Sequence, residues 1–129
     1  MSPGHYDVVV VGGGPAGLSA ALWLARFRRR VHVVDGGHPR NRATWAVHGY
    51  PGLPDLPPDE LRRRLRDQAI GAGAEVRGGR ILAIGGTRDD FSLDVDDGSA
   101  LRARRVLLAF GLRDELPPLP GLEEAYGTS

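Results

Sequence analysis

The sequence predicts an α/β fold that has a parallel sheet, helices on one face and a small antiparallel meander. Three observations near the N-terminus predict it. Val8 to Val11 form a β-branched run without a polar interruption, a glycine-rich turn and a helix of small residues follow, and a second apolar run begins at Val31. An uninterrupted apolar run is typical of a central parallel strand that is buried on both faces. Such a strand needs helices packed on both faces of the sheet.

The turn after the first strand carries Gly12, Gly14 and Gly17, which is the GxGxxG spacing of Rossmann-like nucleotide-binding domains. In this spacing the first glycine turns tightly, the second lets the backbone approach a pyrophosphate, and the third lets the helix pack on the strand. Pro15 suits the first helical turn, where its missing N–H is no loss. The N–H groups of Gly14, Ala16 and Gly17, together with the helix dipole, favour a bound phosphate.

The helix is predicted to continue to the basic run Arg28–Arg29–Arg30, and the second strand to end at Asp35, eighteen residues after Gly17. A carboxylate at that place can bind both hydroxyls of an adenosine ribose and would repel a 2′-phosphate, so the pocket favours FAD or NAD over NADP. A GxGxxG spacing alone is weak support, and a plain turn between strand and helix is the alternative. The register of strand, turn, helix, strand and acid favours the dinucleotide interpretation.

A second helix is predicted over residues 59–73. Leu61, Leu65 and Ile70 recur near helical spacing, which predicts a helix that covers the sheet, and Asp59 is a candidate N-cap. The run Arg62–Arg63–Arg64 is interleaved with acids, which favours a solvated helix face.

The remaining segments predict strands. Glu75 to Arg77 would be the third parallel strand, and Asp96–Asp97–Gly98 is a hairpin signal. Residues 106–110 would then return to the parallel sheet, with a C-terminal end where open α/β folds bind ligands. The segments that alternate as a small antiparallel meander are 80–85, 91–95 and 101–104.

The loop between the second strand and the second helix, GGHPRNRATWAVHGYPG, is long enough to indicate a binding purpose, with an ordered surface excursion as the alternative. Within it, His48 is the one titratable residue placed where it could act as an acid or base. An isolated histidine more often shapes its loop, so we name no catalytic residue. His5, His32 and His38 show no ligand spacing, and no metal site is predicted.

Composition narrows the function classes. The chain has 129 residues, 41% of them hydrophobic, which fits one domain over residues 1–129. It has no cysteine, so its own residues provide neither dithiol chemistry nor a thiolate metal site. The net charge of +1 gives no reason to expect nucleic acid, and no apolar stretch predicts a membrane span. The first strand begins too early for a cleavable signal, so we expect a cytoplasmic location.

Four segments in order are more specific than the glycine turn alone: VVVVGGGPAGLSAA near the N-terminus, the acid Asp35, the loop HGYPG at 48–52, and VLLAFGLRDELPPLPG at 106–121. Together they resemble the flavin-dependent pyridine nucleotide-disulfide oxidoreductases, above all the FAD domain of low-molecular-weight thioredoxin reductases. The last segment of that family is usually a strand ending in Ala-Thr-Gly, followed by Pro-x-x-Pro-Gly. Phe110 stands here in place of the threonine.

The resemblance implies FAD as the cofactor. It implies phosphate contacts at the glycine turn, a ribose contact at Asp35, flavin-loop contacts at Arg40, Asn41 and Gly49, and adenine contacts near Arg80. The residues implied to bind the cofactor are Gly12, Gly13, Gly14, Pro15, Ala16, Gly17, Asp35, Gly36, Arg40, Asn41, Gly49, Arg80, Ile81, Ala109, Phe110 and Gly111.

Typical members of this family are more than twice as long, with a second glycine-rich domain for NADPH, a redox Cys-x-x-Cys and a final segment that covers the flavin. We therefore expect this sequence to be the FAD domain, as a fragment or a short form. NAD(P)H and a disulfide substrate would then enter only with the missing domain, and enzymatic turnover by the chain alone is left open. An exposed apolar surface left by that domain would promote dimerisation, as a homodimer, or aggregation.

Two hypotheses from other classes stay open. One is a non-catalytic module that binds FAD or ADP and acts through a partner. The other is a small NAD-binding dehydrogenase, against which the PLPGL segment and the ordered resemblance favour flavin.

Overall fold

As far as the sixth strand, the elements follow the order that the sequence predicts, and a short helix that it does not predict comes last. The computed structural model describes residues 4–37, 46–112 and 115–126. The strands are β1 (His5–Val11), β2 (Val31–Asp35), β3 (Glu75–Gly78), β4 (Ile81–Thr87), β5 (Asp90–Val95) and β6 (Ala100–Leu108). The helices are α1 (Pro15–Arg26), α2 (Pro58–Gly71) and α3 (Leu122–Ala125).

The strands of the described residues join one sheet in the order β3-β2-β1-β6-β5-β4. The first four are parallel neighbours, whereas β5 and β4 extend the sheet as antiparallel strands. In the parallel part, Val10 pairs with Val33 and Val9 pairs with Val106. The predicted α/β class, a parallel sheet with an antiparallel meander, is confirmed.

β6 differs from the prediction in one respect. The sequence suggests a meander strand at 101–104 and a separate return strand at 106–110, but a single strand spans Ala100–Leu108. Its first half pairs with β5, and it pairs with β1 from residue 102 as far as Leu108. The two predicted strands are one because β6 pairs with β5 and with β1, and the two pairings overlap at residues 102 and 103. β6 therefore leads from the meander directly to the edge of the sheet where ligands are expected.

α1 begins at Pro15, as predicted, but it ends at Arg26, before the arginine run. Phe27 caps the helix, and Arg28 has a left-handed φ of 61° that stops the helical path. The arginines therefore lie just beyond the C-terminal end rather than within the last turn.

α2 begins one residue earlier than predicted, at Pro58. The prediction that Asp59 is its N-cap is wrong, because Pro57 occupies the cap position and accepts the N–H of Leu61 at 3.1 Å. Asp59 lies inside the first turn, where its negative charge suits the positive end of the helix dipole.

The two faces of the sheet are covered by different elements. On one face, Val10 and Val33 pack against Leu18 and Ala21 of α1 and against Ala69 of α2. The apolar cluster of the other face comes from strands alone and comprises Tyr6, Val9, Val34, Leu93, Val95, Leu101 and Ala103. Alternate residues of β1 and β2 thus point to opposite cores. The antiparallel strands provide the cover that a second layer of helices would otherwise provide.

Candidate functional site

A cleft of about 540 Å³ opens at the carboxyl ends of β1, β2 and β6. Parallel α/β sheets bind ligands at this edge. Its lining consists of Val11, Gly12, Gly13, Gly14, Pro15, Ala16, Val34, Asp35, Gly36, Gly37, Arg62, Gly79, Arg80, Ile81, Ala109, Phe110 and Gly111. The start of α1 and the residues that follow β2 and β6 therefore border one cavity.

The turn from β1 into α1 is held between β2 and the end of β6. Gly12 donates its N–H to the carbonyl oxygen of Val34 at 2.9 Å and has a φ of 120°, which favours glycine. A Cβ atom at Gly12 would collide with the carbonyl group of Ala109. A side chain here is excluded by the neighbouring backbone, so the chain needs a glycine to make this turn.

Gly17 lies beneath the turn, in the first turn of α1. A Cβ atom there would collide with the carbonyl oxygen of Gly12, so Gly17 lets α1 pack closely against β1. It does not line the cleft. In this motif Gly17 therefore allows the helix to pack closely on the strand, whereas Gly12 and Gly14 border the cavity.

Gly14 is the N-cap of α1 and borders the cleft. A Cβ atom built there would meet no atom of the described residues within 4 Å. Packing within the protein therefore does not require glycine at this position, whereas the close approach of a ligand to the backbone would require it. The first helical hydrogen bond runs from the Leu18 N–H to the Gly14 carbonyl oxygen at 3.0 Å. The N–H groups before Leu18 have no partner within the helix.

Asp35 ends β2 and points into the cleft opposite the turn. Its Oδ1 accepts the N–H of Gly37 at 2.8 Å, and its side chain is 13% exposed. Its Oδ2 lies 4.0 Å from Nη1 of Arg62. A short hydrogen bond thus fixes one carboxylate oxygen, while the other faces a cation.

Arg62 was not among the predicted site residues. The run that contains it is predicted to be a solvated helix face, and this holds for Arg63 and Arg64, which both bond to Glu60. For Arg62 the prediction is wrong: its side chain is 29% exposed and lines the cleft. The signal in the sequence is helical spacing, because Arg62 directly follows the buried Leu61 and therefore lies at the margin of the apolar stripe.

The predicted site residues fall into three groups. Those that line the cleft are Gly12, Gly13, Gly14, Pro15, Ala16, Asp35, Gly36, Arg80, Ile81, Ala109, Phe110 and Gly111. Gly17, beneath the turn, and Gly49, in the loop before α2, do not line it. Arg40 and Asn41 lie outside the described residues. Besides Arg62, the lining residues that the sequence analysis did not select are Val11, Val34, Gly37 and Gly79.

The segment after β6 borders the cleft with Ala109, Phe110 and Gly111. Ala109 donates its N–H to the carbonyl oxygen of Val11 at 2.8 Å, which holds the segment beside β1. Phe110 follows with 69% of its surface exposed. The aromatic side chain that replaces the usual threonine is therefore not buried in the core.

The loop before α2 contains an exposed pair of side chains. Nδ1 of His48 is 2.7 Å from Oδ2 of Asp55, and Val47 donates its N–H to the Leu56 carbonyl oxygen at 2.5 Å. These bonds join residues 47–48 to residues 55–56, just before α2. His48 does not line the cleft, and its contact suits the loop-shaping role that the sequence favours.

A second polar cluster lies at the opposite, amino ends of the strands. The Tyr6 hydroxyl donates to Oε2 of Glu75 at 2.6 Å, and Nδ1 of His32 is 3.0 Å from the same oxygen. A carboxylate only accepts, so Nδ1 of His32 carries the proton. The buried Nε2 has no hydrogen-bond partner among the described residues.

Burial governs the ionisation of this cluster. It lowers the pKa of His32 below the ordinary 6.5, against the attraction of Glu75. The hydrogen bond from the Tyr6 hydroxyl lowers the pKa of Glu75. Burial, together with the Glu75 carboxylate, raises the pKa of Tyr6. The fold therefore favours neutral His32, ionised Glu75 and a protonated phenol.

Among residues 4–37, 46–112 and 115–126, no group of three or more His, Asp or Glu side chains is arranged to hold a metal ion. In the same part of the chain, no helix combines the length and apolar character needed to cross a bilayer.

Comparisons with known proteins identify relatives over nearly the whole chain. The family described as pyridine nucleotide-disulphide oxidoreductase matches residues 6–129. Thioredoxin reductase tcpT of Claviceps purpurea is 39% identical over 127 residues, which cover 95% of this chain and 40% of that protein. The thioredoxin reductase of Aquifex aeolicus is 31% identical over 125 residues, which cover 95% of this chain and 39% of that protein.

A solved structure shows the same likeness. The crystal structure of the oxidoreductase from Agrobacterium tumefaciens matches with a TM-score of 0.90 and 37% identity, covering 95% of this chain and 42% of that one. The chain thus spans about two fifths of the length of the curated relatives that it matches.

Proposed function

Because the chain belongs to the pyridine nucleotide-disulphide oxidoreductase family, we propose that its cleft holds the adenosine and pyrophosphate part of FAD. The observation that carries the proposal is the position of Gly14, which borders the cleft although no protein contact calls for a glycine there. A ligand that comes close to the backbone accounts for it. The start of α1 adds N–H donors and the positive end of a helix dipole, both of which suit a pyrophosphate.

Asp35 supplies the second part of the fit. Its carboxylate is an acceptor for ribose hydroxyls, and its negative charge disfavours a 2′-phosphate. Glycine at position 13 leaves the space that the Asp35 side chain occupies. The donors and acceptor of the cleft therefore match a nucleotide with free ribose hydroxyls, which favours FAD or NAD over NADP.

We extend the proposal to the remaining implied contacts. Ile81 and the stem of Arg80 would border the adenine, and the backbone of Ala109 to Gly111 would pass along the dinucleotide. Arg40, Asn41 and Gly49 stay predictions of flavin-loop contacts. The whole chain, residues 1–129, is proposed as one FAD domain. A cytoplasmic location and a homodimer also stay predictions.

In the longer relatives, the proposal implies a redox function to which this domain and a second, NADPH-binding domain both contribute. FAD, when bound, supplies hydride transfer from NAD(P)H to a disulfide or another acceptor. The residues of this chain bind and orient the adenosine end. They provide no thiol, because the sequence has no cysteine. We therefore propose that turnover depends on protein beyond these residues, and that added NADPH does not rapidly bleach flavin bound to this chain.

The visible spectrum and released cofactor of the purified chain test the proposal. We expect a yellow protein that releases FAD, close to one per chain, on denaturation. A colourless chain that takes up no FAD but is stabilised by NADH would overturn the flavin proposal and favour the small dehydrogenase. Bound FAD that stays oxidised when NADPH and the second domain of a longer relative are added would favour the non-catalytic module.

A further inference from the structure

We propose that the C-terminal end of α1 binds an anionic membrane surface. The side chains that carry the proposal are all exposed, and we call them the α1-end surface: Trp23, Arg26, Phe27, Arg28 and Arg29. α1 begins at the cleft and is 12 residues long, so this surface lies about 18 Å from the glycine turn. It is therefore a second site, which the binding of a dinucleotide does not use.

Two large aromatic side chains lie next to each other on the α1-end surface. Trp23 is 56% exposed, and Phe27, one helical turn later, is 72% exposed. Their ring centroids are 6.3 Å apart, so the two rings form one apolar patch. Neither ring belongs to the apolar clusters on the two faces of the sheet. Packing of the described residues therefore does not account for these rings, whereas contact with an apolar partner would.

Three arginines surround the rings without an acidic partner. Cζ of Arg26 lies 5.2 Å from the centroid of the Trp23 ring, and Arg28 and Arg29 follow directly after the helix. Within the part of the chain that the structure describes, no carboxylate forms an ion pair with any of the three, whereas two exposed arginines of α2 both pair with Glu60. The α1-end surface thus carries three positive charges that these residues do not neutralise.

The end of the helix does not by itself explain the arginines. The carbonyl oxygens of residues 23–25 accept N–H groups from the backbone of residues 27–29 at 2.9–3.0 Å, so they need no arginine side chain as a partner. The negative end of a helix dipole amounts to about half an elementary charge, much less than the charge of three guanidinium groups. The remaining positive charge is available to an anionic partner.

A bilayer surface fits these side chains better than a second copy of the chain or a nucleic acid. A twofold contact here would set the arginines of one copy against those of the other. A nucleobase would have to stack on Trp23, and Arg26 already covers one face of that ring. At a bilayer, by contrast, aromatic rings enter the headgroup region and anionic lipids attract each arginine. Because the net charge of the chain is only +1, the attraction is local, and salt should weaken it.

Sedimentation of the full chain with lipid vesicles tests the proposal. We expect binding at low salt to phosphatidylcholine vesicles that contain about one third phosphatidylserine, and little binding to phosphatidylcholine alone or at high salt. Tryptophan emission should shift to shorter wavelength on binding, and Trp23→Phe should remove most of that shift. Arg28→Gln combined with Arg29→Gln should weaken binding by about thirtyfold, which is the usual contribution of two basic side chains.

The matched control is Arg63→Gln combined with Arg64→Gln, which removes the same two charges from exposed positions of α2. It should weaken vesicle binding by no more than about threefold, because salt screens charges away from the contact. The variants of the α1-end surface should keep the melting temperature and the ADP affinity of the unmodified chain, since the cleft is at the other end of α1. A loss of ADP binding would therefore concern the proposed function and not this surface.

Four results would overturn the proposal. They are absence of binding to the anionic vesicles at low salt, equal losses in the two double variants, a dimer that Phe27→Ser dissociates, and binding of single-stranded DNA in place of vesicles. The third would assign the α1-end surface to a second copy of the chain, and the fourth would assign it to a nucleic acid.

Discussion

Gly13 lies directly against the side chain of Asp35. A Cβ atom at Gly13 would be 2.5 Å from the Cβ atom and 2.7 Å from Oδ2 of Asp35, both too close for a real contact. The GxGxxG spacing does not require glycine at this position. The requirement comes instead from the acid at the end of the neighbouring strand. The two features of the motif, the glycine turn and the acid, are therefore mutually fitted.

Gly13→Ala should impair nucleotide binding and also lower stability. The new methyl group would collide with Cβ and Cγ of Asp35, the part of the side chain next to the backbone. The end of β2 would therefore have to shift, and the carboxylate would lose its bond to Gly37. We expect AMP affinity to fall by about tenfold, or ~1.4 kcal/mol. Calorimetric titration measures it. Gly71→Ala, at a helix position with open space, is the control, and an affinity equal to that of this control would contradict the fit between Gly13 and Asp35.

Gly14→Ala should leave the folded protein unchanged and prevent ligand approach. Its Cβ would meet no described atom within 4 Å, and the φ of −81° is accessible to alanine. We expect a melting temperature close to that of the unmodified chain and FAD or ADP binding weakened by at least about tenfold. A variant that binds as well as the unmodified chain would remove the main support for a pyrophosphate at this turn.

Gly17→Ala should act on stability first. Alanine gains about 1 kcal/mol in helix propensity over glycine. Its Cβ, however, would collide with the backbone carbonyl of Gly12, which cannot move without shifting the turn. Overpacking of this kind costs about 1–3 kcal/mol, so a net loss is expected. Urea denaturation measures it, and a gain in unfolding free energy would mean that α1 does not pack on β1 as closely as described.

Unfolding free energy should fall as the pH drops below neutrality, because of the cluster at the amino ends of the strands. Burial lowers the pKa of His32 below 6.5, so its contribution is present above pH 6.5 and lost as the pH falls. The lowered pKa of Glu75 also stabilises the fold, and this contribution is lost as the pH falls below the ordinary pKa of 4.5. The pKa of Tyr6 is raised instead, so its contribution is lost above pH 10.0.

Urea unfolding at pH 7.5 and 5.5 tests the contribution of His32. We expect the free energy of unfolding of the unmodified chain to be lower at pH 5.5 than at pH 7.5, because the pKa of His32 is lowered by burial. His32→Asn, which cannot take up a proton, should lose much less. His48→Asn removes an exposed histidine and should behave like the unmodified chain. Equal pH dependence in all three would assign the effect to other groups.

The parts of the fold that sequence predicts best are those where local chemistry and spacing agree. The apolar run of β1, Pro15 at the start of α1, the acid ending β2 and the hairpin at Asp96–Gly98 each have a local physical cause. The continuity of β6 does not, because it depends on pairing with β1 and β5 at once. Asp59 failed as a cap because the preceding prolines begin the helix one residue earlier.

The candidate site shows the same division. The glycine turn and Asp35 are predictable from spacing, and the structure brings them together at one cleft. The place of Arg62 in the site is not predictable from the sequence, because Arg63 and Arg64 carry the same charge. Only the packing of α2 decides which of the three arginines faces the cavity. The contact between Gly13 and Asp35 is likewise invisible in the sequence, since it joins the turn after β1 to the end of β2, which are brought together by the register of the sheet.

The most direct test of the central claim is a ¹⁵N–¹H correlation spectrum of the chain titrated with ADP. A chain of 13.8 kDa suits this measurement. Binding as proposed shifts the amide signals of Gly13, Gly14 and Ala16 together with that of Gly36, and leaves buried Leu93 unmoved. Signals that stay in place at millimolar ADP, or shifts confined to residues away from this cleft, would contradict the assignment of the adenosine and pyrophosphate site.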